Sequence, residues 1–261
     1  HWNTPIENGT SNNGRLKGRG IASGYWMNGG GKSSVTLSVN DDGTVSLLEG
    51  SADIGGTRSS IAMHAAEVLG LKAEDIIPRI PDTDGVGYTG MTGGSRTTYA
   101  TGFAAYHAAE SLIEKLTSRV AILWDISEKD VEFLNNIFQS KKDPELKISF
   151  KELAGKLDST GGPVSSVGSV NLSSSSHGYA THIVDLEIDP KTGKTDVSRY
   201  TTIQDVGKAI HPSYVEGQMQ GGAAQGIGWA LNEEYYISDK GNMENSSFLD
   251  YRMPTSLDLP M

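Results

Sequence analysis

The sequence predicts an α+β (mixed α/β) fold of two subdomains, each with mixed sheets packed against helices. Three observations carry this prediction. SSVTLSVN, Ser33–Asn40, sets Val35, Leu37 and Val39 on one side, the period of two of a half-buried strand. Ala105, Ala109, Leu112, Leu116, Val120 and Leu123 recur at helical spacing for about five turns. HPSYVEGQMQGGAAQGIGWA, His211–Ala230, keeps that spacing although it is crowded with glycine. The chain of 261 residues has 32 glycines without a three-residue period, which points to tight turns and backbone-lined sites rather than collagen.

In chain order, Gly14 to Gly31 reads as basic, glycine-rich turns leading into the first strand pair. Asp41-Asp42-Gly43 is a hairpin signal, and Thr44–Gly50 returns. SADIGGTRSS then opens a helix with Ile61, Ala65, Val68 and Leu69 as its buried stripe, Thr57 as N-cap and Gly70 as stop. A short strand lies around Ile76–Ile80, and GMTGGSRTTYATG opens the long helix, with Ser95 as cap and Arg96 as a cation beside its start. VEFLNNIFQ is a small hairpin turning at Asn135-Asn136, and Ser149–Leu157 is a short capped helix. The Gly-Pro-Ser composition of Asp158–Ser166 divides the chain into a first subdomain, 14–158, and a second, 159–261. Two long strands flank the Pro190–Gly193 turn and lead to Asp205, a turn cap, and to the glycine helix 212–230. Beyond it, EEYY and FLDYRMPTSLDLPM suggest another strand or two.

A formal net charge of −10 argues against a nucleic-acid partner. The chain has no cysteine, which excludes disulfides, a Cys-ligated iron–sulfur cluster and a cysteine nucleophile within it. No run is apolar and long enough to span a membrane, and the expected location is cytoplasmic.

Pro212 suits the first helical position, where its missing N–H costs nothing. Gly217, Gly221, Ala224 and Gly228 then line one face almost without side chains. Each interior glycine costs roughly 1 kcal/mol against alanine, so either another backbone or a ligand approaches there. Gln218, Gly222, Gln225 and Trp229 share the neighbouring face, and carboxamides suit the edge of a heterocycle. Gly55-Gly56-Thr57 and Gly94-Ser95-Arg96 each open a helix, whose start favours anions; neither fits the Walker pattern. The six histidines are scattered without metal-binding spacing, and Glu233-Glu234 reads as a solvated pair. From residues alone, the chain offers sites for a large, phosphate-bearing heterocycle and shows no nucleophile or base.

Five stretches, GRGIASGYW, VSLLEGSADIGGTRSSIAMHAAEVLG, GGSRTTYATG, DVGKAIHPSYVEGQMQGGAAQGIGWALNEE and DYRMPTSLDLP, run from Gly18 nearly to the end. In that order they resemble the molybdopterin-binding domains of the xanthine dehydrogenase/aldehyde oxidase family of molybdenum hydroxylases. The resemblance implies a fold of that type and a molybdopterin cofactor, in its cytosine dinucleotide form. Molybdenum would be held by the pterin dithiolene and by no protein ligand. The implied cofactor-binding residues are Gly55, Gly56, Thr57, Gly94, Ser95, Arg96, Gly217, Gln218, Gly221 and Gln225. The implied reaction hydroxylates an aldehyde or N-heteroaromatic substrate with water-derived oxygen, and electrons leave through 2Fe–2S clusters to FAD on other chains or domains. Two departures stand out. Many family members read Gly-Gln-Gly where this chain reads Asp-Ile-Gly-Gly-Thr-Arg. The family's general-base glutamate follows a glycine beyond the MPTSLD-like segment, and no Gly-Glu dipeptide occurs here. The expectation is therefore a fragment or split subunit with its base beyond Met261, inactive alone and completed by the rest of the domain with iron–sulfur and FAD subunits. The alternative is a non-catalytic interaction fragment that packs on partner subunits and binds no cofactor alone.

Overall fold

Leu16–Met27 is a twelve-residue strand, β1, and not a series of turns. Cross-strand partners override the glycine propensity: Arg19 Nη2 donates to Asp185 Oδ2 at 2.9 Å and Ser23 Oγ lies 2.8 Å from Thr181 Oγ1. Gly31–Val39 (β2) and Val45–Glu49 (β3) form the expected hairpin, paired from Val35–Glu49 to Val39–Val45. The helix α1 (Thr57–Leu69) ends as predicted at Gly70, whose φ is 62°. A Cβ there would lie 2.6 Å from the Asn136 backbone nitrogen, so conformation and space both demand glycine. β4 (Ile76–Arg79) and the 28-residue α2 (Thr97–Trp124) follow. β5 (Val131–Leu134) and β6 (Ile137–Ser140) turn at Asn135 and Asn136, whose φ values of 47° and 69° suit a type I′ turn. β7 (Lys147–Ser149) joins them, and α3 (Phe150–Ala154) starts with a reciprocal Ser149–Glu152 capping box. β8 (Ser165–Leu172), β9 (His177–Ile188), β10 (Thr195–Asp205) and α4 (Pro212–Leu231) complete the order.

The computed structural model describes residues 14–79, 82–173 and 177–260. They form two units, Met27–His177 and the chain up to Trp26 with Gly178 onward. This corrects the boundary expected at 158/159. β8 pairs with β2 from Gly31–Leu172 to Ser38–Ser165, so ladder hydrogen bonds cross a segment whose composition marks only a turn.

In the Met27–His177 unit the sheet order is β4-β3-β2-β8, with β3–β4 parallel and the other pairs antiparallel. Val35, Leu37, Val45 and Leu47 point inward against Ile61, Ala65 and Leu69 of α1 and Leu112, Leu116 and Val120 of α2. A second, three-stranded sheet is β5-β6-β7. The two helices run the same way. A Cβ on Gly102, early in α2, would meet the ring of His64 in α1, and Gly70 beyond α1 abuts Asn136 beyond α2. Both N-termini therefore open at one end of the unit.

The other unit is built on the sheet β1-β9-β10. β9 and β10 are antiparallel, with an irregularity between Val197 and Arg199. Asp205 caps its turn as expected, accepting from Gly207 N–H at 2.9 Å. No named strand follows α4 among the described residues; EEYY and the later stretch give one isolated bridge, Ile237–Met243. Side-chain caps fix this segment instead, as where Asp258 Oδ2 accepts from Thr255 N–H at 2.8 Å.

Candidate functional site

At the start of α1, Gly55 and Gly56 have φ of 62° and 77°. Gly56, and not Thr57, is the N-cap, and no side chain caps it from that position. The left-handed conformation there suits glycine and disfavours a β-branched threonine. Asp53 supplies the cap, its Oδ1 accepting from Arg58 N–H at 3.1 Å, with Oδ2 3.5 Å from Arg58 Nε. Thr57 N–H donates to Ile54 O at 3.3 Å. Gly55 and Gly56 are thus the residues of this turn whose amides suit an anion, aided by the helix dipole.

The second glycine loop corrects the expectation for Ser95 and Arg96. Ser95 is exposed with φ 55° and does not cap α2; Arg96 occupies the cap position without a side-chain cap bond. Arg96 is 6% exposed. Its Nε donates to Gly30 O at 2.6 Å, Nη1 to Gly90 O at 3.0 Å, and Nη2 to Lys32 O at 2.5 Å and Ser33 Oγ at 2.9 Å. A guanidinium so engaged is a brace for the loop and not an open phosphate clamp. Gly94, with φ 65°, accepts through its carbonyl from Gly29 N–H at 2.7 Å.

Hydrogen bonds bring the two glycine loops together. Ala52 N–H donates to Thr92 Oγ1 at 3.3 Å, while Thr101 Oγ1 lies 3.0 Å from Ser33 Oγ and 3.1 Å from Ser51 Oγ. Gly55, Gly56, Thr57, Gly94 and Ser95 therefore sit at one end of the Met27–His177 unit. The remaining candidates, Gly217, Gln218, Gly221 and Gln225, belong to the other unit.

On α4, Pro212 takes the first helical position as predicted. A Cβ built on Gly217, Gly221, Gly222 or Gly226 would have no heavy atom within 4 Å. Gln218 and Gln225 are exposed, and Trp229 on their face is 66% exposed. Helix packing among the described residues of this unit therefore does not account for these glycines. Gly228 is different. Its Cβ would lie 2.0 Å from Glu233 Oε1 and 2.6 Å from Pro254 Cδ, so it is glycine because the chain folds back over it. The Tyr251 hydroxyl there is pushed up to about 12 by its hydrogen bond to Glu233.

His64 is structural, its Nδ1 2.7 Å from Ser60 O, and His107 pairs at the surface with Glu110. Residue-level reading missed two groups. Arg58 stands in the first turn of α1 at the anion-favouring end. Glu49 is wholly buried beneath the same loop, and burial pushes its carboxyl above the ordinary glutamate value. Its register with Val45 and Leu47 was the available signal, since strand alternation turns it inward.

Main-chain turns at two helix starts thus meet at one end of the Met27–His177 unit, and in the other unit an exposed helix carries open glycines beside two carboxamides. The chain belongs to the molybdopterin cofactor-binding domain family, which matches residues 2–260. It is 31% identical over 258 residues to the xanthine dehydrogenase molybdenum-binding subunit of Escherichia coli O157:H7, covering 94% of this chain and 34% of that protein. Among solved structures, it resembles the Cu,Mo-CO dehydrogenase with a TM-score of 0.84 and 26% identity over 95% of this chain and 33% of that one. Quinoline 2-oxidoreductase from Pseudomonas putida 86 gives a TM-score of 0.83 and 25% identity, over 95% and 34% of the two chains. The chain thus spans about a third of the length of these relatives. The fold is that of molybdopterin-binding domains, and two of these relatives, the xanthine dehydrogenase subunit and the CO dehydrogenase, are named for molybdenum.

Proposed function

We propose that this chain is the cofactor-binding portion of a hydroxylase that oxidises an aldehyde or N-heteroaromatic compound with water-derived oxygen. The observation that carries the reading is the openness of α4, where Gly217 and Gly221 on one side and Gly222 and Gly226 on others meet no heavy atom within 4 Å among the described residues. Quinoline 2-oxidoreductase among the similar structures supports an N-heteroaromatic substrate. When bound, the molybdenum cofactor supplies the redox and oxygen-transfer chemistry. The chain's own residues bind and orient it. Gly217 and Gly221 let the ligand reach the main chain, while Gln218 and Gln225 offer donors and acceptors to its heterocyclic edges. Gly55 and Gly56 present amides to a phosphate, with Thr57, Gly94 and Ser95 around them. Arg96 braces the loop from below.

The dinucleotide form of the cofactor, 2Fe–2S and FAD on other chains or domains, and a cytoplasmic location belong to the same proposal. Among the described residues, no helix is long and apolar enough to cross a membrane. This chain is assigned no general base. Such help is worth roughly 10²–10⁴-fold, so the chain alone is proposed to turn over little or nothing.

The remainder of the large subunit is the proposed partner. In the unit that holds α4, Ala223 and Ile227 are the buried hydrophobic residues among those described, while Phe248 is 90% and Leu257 95% exposed. Apolar surface of that kind marks a protein interface. It also favours the second reading, an interaction fragment that binds no cofactor alone. Gln218→Ala in the complete enzyme separates the two. Molybdenum and pterin content are expected to fall about tenfold, the equivalent of one lost hydrogen-bonding group. Content and activity at wild-type levels would remove α4 from the site.

A further inference from the structure

Among the described residues, Glu49 Oε1, Thr57 Oγ1 and Arg58 Nε are buried without a hydrogen-bond partner where β3 ends and α1 begins, Arg58 Nε standing 3.5 Å from Asp53 Oδ2 as an ion pair. Glu49 is 0% exposed. Its other oxygen, Oε2, accepts from Ser51 N–H at 2.6 Å, and Ser51 Oγ in turn meets Thr101 of α2. The carboxyl therefore ties down the first residues of the loop that carries Gly55 and Gly56. One oxygen is fully engaged and the other faces no donor, an arrangement that burial makes costly for a carboxylate and tolerable for a carboxylic acid.

We infer that Glu49 is a positioning residue that works uncharged: as a neutral acid it holds the Gly50–Gly56 loop ready for an anion at the start of α1, and as a carboxylate it opposes that anion. The inference rests on the reading of this helix start as part of the cofactor site, and names how that site is regulated by proton uptake. Glu49 is placed to act because the interior screens charge weakly. Burial raises it; the Ser51 hydrogen bonds and Arg58 oppose this, and Asp53 adds to it. Other charged groups on the surrounding elements are otherwise occupied. Arg96 holds three backbone carbonyls, Lys32 on β2 lies over the Tyr88 ring, and His64 faces Ser60 O. Arg79 on β4 is exposed and paired in register with Leu48, whose side chain leaves the opposite face of β3.

The sign follows from the raised value. Stability contributed by the protonated carboxyl is whole below the ordinary glutamate value of 4.5 and is lost as pH rises through the folded value. Glu49→Gln keeps an oxygen for Ser51 N–H and cannot ionise. In the full chain, Glu49→Gln is therefore expected to raise the melting temperature relative to wild type at about pH 8.5 and to add little at about pH 5. Sulfate is the anion probe, because its charge is constant across this range. Wild type is expected to bind it about tenfold more weakly at the higher pH than Glu49→Gln does, a difference of about 1.4 kcal/mol. Equal destabilisation by Glu49→Gln at both pH values would reduce Glu49 to a hydrogen-bond acceptor and overturn the inference. Sulfate binding by neither protein, with the stability difference intact, would instead sink the anion-site reading beneath it. A readout that needs no variant is the infrared band of a protonated carboxylic acid in wild type, expected to persist to higher pH than that of an exposed glutamic acid; its loss at the ordinary glutamate value also overturns the inference.

Discussion

Gly221→Leu is expected to leave the chain folded and to empty the complete enzyme of its cofactor. The two halves of this expectation have separate physical causes. In the chain, a Cβ at Gly221 meets no heavy atom within 4 Å, so a larger side chain has room. Replacing an interior helical glycine by leucine also recovers roughly 0.8 kcal/mol of helix propensity, so the thermal midpoint should hold or rise slightly. In the enzyme, the leucine would occupy the surface against which the pterin is proposed to lie. Close packing tolerates no such intrusion, and molybdenum and pterin content should fall by at least about tenfold, a cost of about 1.4 kcal/mol in binding. Measuring both on one variant matters. A loss of stability together with the metal would mean that the glycine serves packing. Retained molybdenum in a stable variant would mean that the face is not part of the site.

Gly168→Ala should give the largest loss of stability. Gly168 lies on β8 and faces α2, where its Cβ would stand 2.1 Å from Ala104 O and 2.4 Å from Ala108 N. Both are backbone atoms, so no side chain can rotate away. Ala104, Ala105, Ala108 and Ala109 are all fully buried, which shows how closely this helix is laid on the sheet. Nearby, Ser166 Oγ donates to Ala108 O at 2.7 Å and fixes the approach. Overpacking usually costs about 1–3 kcal/mol; backbone against backbone places this substitution at about 3 kcal/mol or more. Denaturant unfolding of the chain checks it, with the midpoint expected to drop sharply. A shift below about 0.5 kcal/mol, the ordinary range for a surface substitution, would mean that α2 sits farther from β8.

Much of this architecture was legible in the residues, where local pattern and tertiary environment agree. The β2–β3 hairpin, the stripe on α2, the Asn135-Asn136 turn and the stop at Gly70 all follow from period or turn chemistry. β1 was not legible. Its glycines argue locally for turns, and what extends it is pairing with Asp185 and Thr181, more than 150 positions away. The boundary at 158/159 failed for a related reason: composition records a bend and is silent on whether the next strand returns to the same sheet. The glycines of α4, proposed as part of the site, were readable because so many in one helix cost propensity that something must offset. Arg96 was misread, since sequence cannot tell an arginine aimed at solvent from one folded under its own loop. Glu49 was overlooked because a lone glutamate in a strand is usually solvated, although its alternation with Val45 and Leu47 turned it inward.

The most direct test is a structure of the complete subunit with its molybdenum cofactor in place, read for one set of distances. The account predicts ligand atoms in van der Waals contact with the main chain at Gly217 and Gly221, and a carboxamide of Gln218 within hydrogen-bond reach. Protein side chains filling that face, with the cofactor lying elsewhere, would contradict it.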